Sequence, residues 1–230
     1  MTVPYFYPSM ARAYQSMGDA YSFWGNFMGN LSHDLEAIEA YKKAVSIDPK
    51  AAEAYRSMGS VYKKLNRNPE VIEAYTKAAA LDPNAATWDY LSVGDAFIKL
   101  KRYSEAIEVY QKATAIKPDF DLAYCGIGTA NLQLERYTEA IEAFKKAIAT
   151  SSAGRDVYYD MGLCYEKLGQ RPAAITAYKE YLRLVTNFIR EVESRGSTNE
   201  KRDASVDKAR AEEARKAISR LGGEIGDSHL

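Results

Sequence analysis

Cysteine and histidine are nearly missing from this chain, with two of each in 230 residues. Cys125 and Cys164 form no CxxC pair and no disulfide framework, which fits reduced thiols. His33 and His229 each stand far from any second histidine or cysteine in sequence. No HExxH, GxSxG, Gly-rich phosphate loop or Cys/His cluster occurs, so no catalytic residue, metal or cofactor is expected and the chain does not read as an enzyme. An excess of one charge is also missing: 31 basic residues stand against 31 acidic ones. That balance removes the electrostatic case for nucleic acid or an anionic membrane as partner. No run of apolar residues is long enough for a membrane span. The opening MTVPYFYP lacks the basic and apolar regions of a secretory leader. The cytoplasm is therefore the expected compartment, with export left open should a leader have been removed. Ser228-His229-Leu230 is similar to the Ser-Lys-Leu peroxisomal address, a loose three-residue match.

What the chain does have is a period. In Ala52–Ala85, Tyr55, Met58, Gly59 and Tyr62 fall at i, i+3, i+4 and i+7, and Val71, Ile72, Tyr75 and Ala78–Ala79 recur at helical intervals of three and four. Each set lies on one face of a helix. Asn66-Arg67-Asn68-Pro69 is a turn between them, and Asp82-Pro83 ends the second helix, because a residue before proline disfavours the α region. The unit is a helical hairpin of about 34 residues, a length typical of structural repeats.

Gly59 has counterparts at Gly25, Gly94, Gly128 and Gly162. Five such glycines in register arise by chance on the order of once in a million. A tyrosine stands four residues before each (Tyr21, Tyr55, Tyr90, Tyr124, Tyr158) and a leucine six after (Leu31, Leu65, Leu100, Leu134, Leu168). The second helices carry a small residue (Ala37, Val71, Ala106, Ala140, Ala174) and, four on, an aromatic (Tyr41, Tyr75, Tyr110, Phe144, Tyr178). Mid-helix glycine costs about 1 kcal/mol against alanine. The expected compensation is close approach of the paired helix, with its small residue opposite the glycine. Most of the 18 tyrosines occupy such packing columns, so they read as core and not as stacking platforms for bases.

This pattern resembles the tetratricopeptide repeat (TPR). The resemblance implies an all-α fold: a right-handed superhelical solenoid of antiparallel helix pairs. Five repeats are expected at 18–51, 52–85, 87–120, 121–154 and 155–188, after an N-terminal segment 1–17, with Ala86 as an insertion. The last helix extends to 195; then come a linker at 196–203, a capping helix at 204–222 and a tail at 223–230. A first helix starting near Ser9 as N-cap is expected to be two turns longer than its siblings. Tyr14-Met17-Gly18-Tyr21 repeats the pattern seven residues ahead of Tyr21-Trp24-Gly25-Met28. The later register, with Gly25, is preferred because it keeps the repeat spacing; a separate capping helix is the alternative.

The resemblance further implies non-catalytic protein–protein interaction through a concave groove lined by the first helices. Its expected residues are Arg56, Ser60, Lys63, Trp88, Leu91, Asp95, Ile98, Leu122, Cys125, Thr129, Leu132 and Tyr159. Arg56 and Lys63 are expected to orient acids at one end of a mostly apolar peptide or helix. The two-carboxylate clamp of some family members lacks most of its basic residues here. Burial of the groove by the chain's own ends, or by a second copy in a homo-oligomer, is weighed equally with a foreign peptide.

Overall fold

Short turns divide the chain into helices in the computed structural model, which describes residues 6–150, 154–195 and 198–224. The tail at 228–230 lies outside the described residues. The helices are α1 (Phe6–Met28), α2 (Leu31–Ile47), α3 (Ala52–Lys64), α4 (Asn68–Leu81), α5 (Ala86–Lys99), α6 (Tyr103–Ile116), α7 (Asp121–Gln133), α8 (Tyr137–Thr150), α9 (Asp156–Lys167), α10 (Arg171–Arg195) and α11 (Thr198–Arg220). No strand occurs among the described residues. The helices group into two compact units, Met1–Pro118 and Asp119–Leu230. Unit one holds the hairpins α1–α2, α3–α4 and α5–α6, with α2 packed on α3 and α4 on α5. Unit two holds α7–α8 and α9–α10, with α8 packed on α9 and α11 on α10.

The turn inside each hairpin after the first follows from its repeated sequence. Asn66, Lys101 and Glu135 take left-handed conformations with φ of 55°, 58° and 59°, and Gly169 sits at the same place with φ of 71°. The next amide then bonds back to the helix end: Arg67 N–H donates to Tyr62 O, Arg102 to Phe97 and Arg136 to Asn131, each at 2.9 Å. This is the Schellman closure, which satisfies carbonyls that the helix end leaves open. The arginines of the α3–α4 and α5–α6 turns then reach forward. Arg67 bonds Glu70 and covers the Tyr62 ring at 4.9 Å, and Arg102 bonds Glu105 and covers Phe97 at 4.7 Å.

The glycine column is explained by close approach, though not to the residue expected. The aromatic of the second helix lies against it. A Cβ on Gly59 would stand 2.8 Å from the Tyr75 ring, on Gly128 2.4 Å from Phe144, and on Gly162 2.6 Å from Tyr178. The small residues are buried too, but the ring is what demands glycine. An aromatic ring is flat and wide, so laying it across a helix requires a site with no side chain.

In the first hairpin the register is that of Gly18, correcting the preference for Gly25. A Cβ on Gly18 would meet the Tyr41 ring at 2.6 Å, whereas Gly25 faces the carboxylate of Asp34. Two further columns agree. Tyr41 Oη donates to Asp19 Oδ1 at 2.8 Å, as Tyr110 Oη does to Asp95 Oδ1 at 2.9 Å, and each acceptor directly follows its glycine. Lys43 covers Tyr14 at 5.6 Å, as Lys77 covers Tyr55 and Lys112 covers Tyr90. The extra length of α1 therefore lies beyond the repeat register, at its C-terminal end, and forms a long hairpin tip with the start of α2. Nor does the helix wait for Ser9: it begins at Phe6.

In unit two, α10 runs to Arg195 and α11 already begins at Thr198, so most of the stretch expected as a linker is helix. The stripe of α11 buries Ala211, Ala214, Ala217 and Ile218 against Tyr178, Tyr181, Leu182 and Val185. Gly222, with φ of 80°, ends it by the same closure, Gly223 N–H donating to Ile218 O at 2.9 Å.

Candidate functional site

The expected groove residues fall on α3 and α5 in unit one and on α7 and α9 in unit two. Arg56 does not have the role expected of it. Its Nε and Nη2 form a bidentate pair with Asp89, at 2.9 and 3.0 Å, and its Nη1 donates to Glu53 at 2.6 Å. Asp82 stands at 3.6 Å. The Asp89 side chain is only 1% exposed, so the arginine is what allows that carboxylate to be buried. Hydrogen bonding to Asp89 in turn raises the affinity of Arg56 for its proton. With three carboxylates around it, Arg56 has no charge to spare for an acidic ligand. Asp89, which joins α5 to α3, was missed by sequence reasoning; its position between Trp88 and Tyr90 in an apolar stretch was the available signal.

Lys63 is exposed and pairs with Asp95 at 3.4 Å. Asp95 also accepts the Tyr110 hydroxyl, so it is anchored within the hairpin. Burial pushes the Tyr75 phenol up, with Ser92 and Ser60 pulling it down. Trp88 is 59% exposed, and Leu91 and Ile98 are half-buried. The four positions Trp88, Leu91, Asp95 and Ile98 share one face of α5, an apolar strip crossed by one carboxylate.

In unit two, Leu122 is exposed and Thr129 half-buried, while Cys125 and Leu132 pack against the unit's core. Burial, with Asp121 and Asp160 close by, pushes the Cys125 thiol up to about 11, so it stays protonated and unreactive near neutrality. Tyr159 is covered by the chain itself. Its hydroxyl donates to Glu213 at 2.9 Å, Arg210 lies over its ring at 5.2 Å, and Tyr178 and Tyr181 meet it edge-on. Arg210 also pairs with Asp156, and Arg220 with Glu166. The side of α9 expected to face a ligand is thus occupied by α11, and Tyr159 leaves the set of accessible groove candidates.

An open depression of about 680 Å³ on unit two, between α9 and α10, includes Tyr158, Met161 and Tyr165 with Lys179 and Arg183 at its edge. Of these, sequence reasoning named only Tyr158, as a packing residue. Among the described residues there is no cluster of His, Cys, Asp and Glu suited to a metal ion, and no helix is long and apolar enough to cross a membrane.

A family model described as TPR repeat matches residues 35–66 and 94–135, and two described as tetratricopeptide repeat match 123–187 and 52–85. Together they cover more than half of the chain. No curated protein matches it. Among solved structures, a crystal structure of MamA protein is 27% identical, with a TM-score of 0.68 over 81% of this chain and 94% of that one. PilF of Pseudomonas aeruginosa is 21% identical, with a TM-score of 0.59 over 94% of this chain and 93% of that one. YrrB, described as a TPR protein with an unusual peptide-binding site, is 19% identical, with a TM-score of 0.61 over 77% and 91%. At the identities of PilF and YrrB the likeness concerns the fold alone. With the glycine–aromatic packing repeated through both units and the models matched along them, the chain belongs to the tetratricopeptide-repeat family.

Proposed function

We propose that the protein is a non-catalytic protein–protein interaction scaffold, and that in unit one a partner segment docks on the outward face of α5. What supports this reading is Trp88: a large aromatic, more than half exposed, at the head of a face that continues through Leu91 and Ile98. Burying a side chain of that kind is worth about 1.5–3 kcal/mol, and tryptophan is over-represented among residues that dominate binding energy. YrrB carries a peptide-binding site on this fold, a precedent for the architecture and not for these residues.

The ligand chemistry is narrower than the sequence suggested. Arg56 is neutralised and Lys63 faces Asp95, so a preference for acidic ends loses its motive. The favoured ligand is an apolar segment, extended or helical, whose main anchor packs on Trp88. In unit two, Leu122 and Thr129 are the accessible remainder of the corresponding face.

Panning a library of short peptides on the full chain tests this. Apolar sequences are expected, and their affinity should fall about tenfold or more in Trp88→Asp, with the circular dichroism spectrum unchanged. Peptides that bind Trp88→Asp as tightly as the parent would place binding elsewhere. Loss of helix in the variant would make Trp88 a packing residue and end the proposal.

A further inference from the structure

The first helix has two apolar faces, and only one is used within the chain. Ala11, Gly18 and Gly25, seven residues apart, are buried against α2. A second series, Met10, Ala13, Met17, Ala20, Trp24 and Phe27, is exposed. Its spacing alternates between three and four residues over five turns, the spacing by which one helix packs along another. Phe23 and Met28 extend it at the hairpin tip, 63% exposed each, and Phe27 is 72% exposed. The three tip aromatics contact one another, Phe23 stacked on Phe27 with centroids 6.4 Å apart and Trp24 edge-on to both. From Ala13 to Ser32 the only charged side chain is Asp19, and it is held by Tyr41.

We propose that this strip is an interface between two copies of the chain, α1 packing antiparallel on α1 of the second copy about a two-fold axis between Met17 and Ala20. The strip is self-complementary in that arrangement. Met17 meets Ala20 of the second copy, Ala13 meets its Trp24, and Met10 meets its Phe27. Two of the three layers set a large side chain against alanine, as interdigitated packing requires. A parallel pairing would set Trp24 on Trp24 and leave alanine facing alanine. The absence of charge also fits, since a strip that meets itself gains nothing from a single sign of charge.

The area is of the right order. Two phenylalanines and a tryptophan at these exposures leave on the order of 300–400 Å² in water, and Met10, Met17 and Met28 add about as much again. The sum exceeds the few hundred Å² a monomer usually exposes in one patch and approaches the roughly 800 Å² per partner of a standard interface. At the other end of the chain the corresponding exposure is removed by α11, while among the described residues no helix covers this face of α1. The interface is independent of the α5 face, so either proposal can fail alone.

Light scattering of the full chain tests it first. Between about 1 and about 100 µM the mass should rise from one chain of 25.7 kDa towards two. Trp24→Glu with Phe27→Glu, two exposed positions, should weaken association about tenfold or more while helix content stays at the parental level. The geometry is tested in a Cys125→Ser background: a mixture of Met17→Cys and Ala20→Cys chains should cross-link readily under mild oxidation, and either chain alone far less. Three results would overturn the proposal: a parent that stays monomeric throughout, a charged double variant that dimerises like the parent, or cross-linking of Met17→Cys with itself as fast as in the mixture. A monomeric parent that instead co-sediments with phosphatidylcholine vesicles, with Trp24 emission shifting to the blue, would overturn it in favour of a lipid surface.

Discussion

Gly94 lies so close to Tyr110 that a Cβ on the glycine would stand 2.3 Å from the ring. The ring cannot retreat easily, because its hydroxyl is tied to Asp95 and the residue is only 1% exposed. Gly94→Ala is therefore expected to destabilise by roughly 1–3 kcal/mol through overpacking. Gly154, with nothing among the described residues near its Cβ direction, should accept alanine at no cost. Denaturant unfolding of the two variants checks the contrast; equal midpoints would contradict the packing described.

Glu135 takes a φ of 59° at the place where the last repeat has Gly169. A left-handed conformation strains a side chain that glycine does not have. Glu135→Gly should stabilise by about 0.5–1 kcal/mol, the relief exceeding the added freedom of the unfolded chain. Gly169→Ala should lose a similar amount, as read from thermal midpoints.

Arg56 and Asp89 test the internal role assigned to a residue first expected in the groove. Arg56→Ala leaves a buried carboxylate without its bidentate partner and should cost roughly 2–4 kcal/mol. Arg56→Ala with Asp89→Leu should recover much of that loss, since replacing both members with apolar groups is often near neutral. If Arg56→Ala melts like the parent, the pair carries no stability.

Asp160 gives a pH dependence of definite sign. Burial pushes its carboxyl up to about 6 from an ordinary 3.8, with Arg210 pulling it down and Asp156 adding to the rise. An acid that holds its proton more tightly when folded stabilises the fold while protonated and loses that contribution as pH climbs. This group's penalty is absent below about pH 4, grows towards pH 6 and is complete above it. Asp160→Asn should therefore be more stable than the parent by roughly 1–3 kcal/mol at pH 8, with the difference vanishing near pH 4. Paired urea titrations across that range measure it; a constant difference would show that the carboxyl does not titrate there.

Removing residues 198–230 should uncover Tyr181, Leu182 and Val185, which α11 buries. It also leaves Arg155 without the buried Asp207 and Tyr159 without Glu213. The truncated chain is expected to aggregate at concentrations where the full chain stays in solution. Light scattering at matched concentrations decides it, and a truncated chain as soluble as the parent would show that α11 is no cover.

The periodic columns determined by themselves that this chain is an array of helical hairpins. Apolar spacing, a leucine at the end of the first helix in four hairpins and a proline or turn after the second are local properties, and local chemistry sets helices and turns. The same columns named the hairpin glycines but not their partners. Seven residues are two helical turns, so Gly18 and Gly25 are equivalent on a helix taken alone; only the position of Tyr41 on the facing helix distinguishes them. The accessible surface was likewise decided in three dimensions. Arg56 reads as a groove charge until Asp89, 33 residues away, neutralises it. Tyr159 reads as a groove aromatic until Glu213, 54 residues on, takes its hydroxyl. Helical period says which side chains share a face, but what covers that face depends on contacts between residues far apart in the chain, and those exist only once the helices have packed.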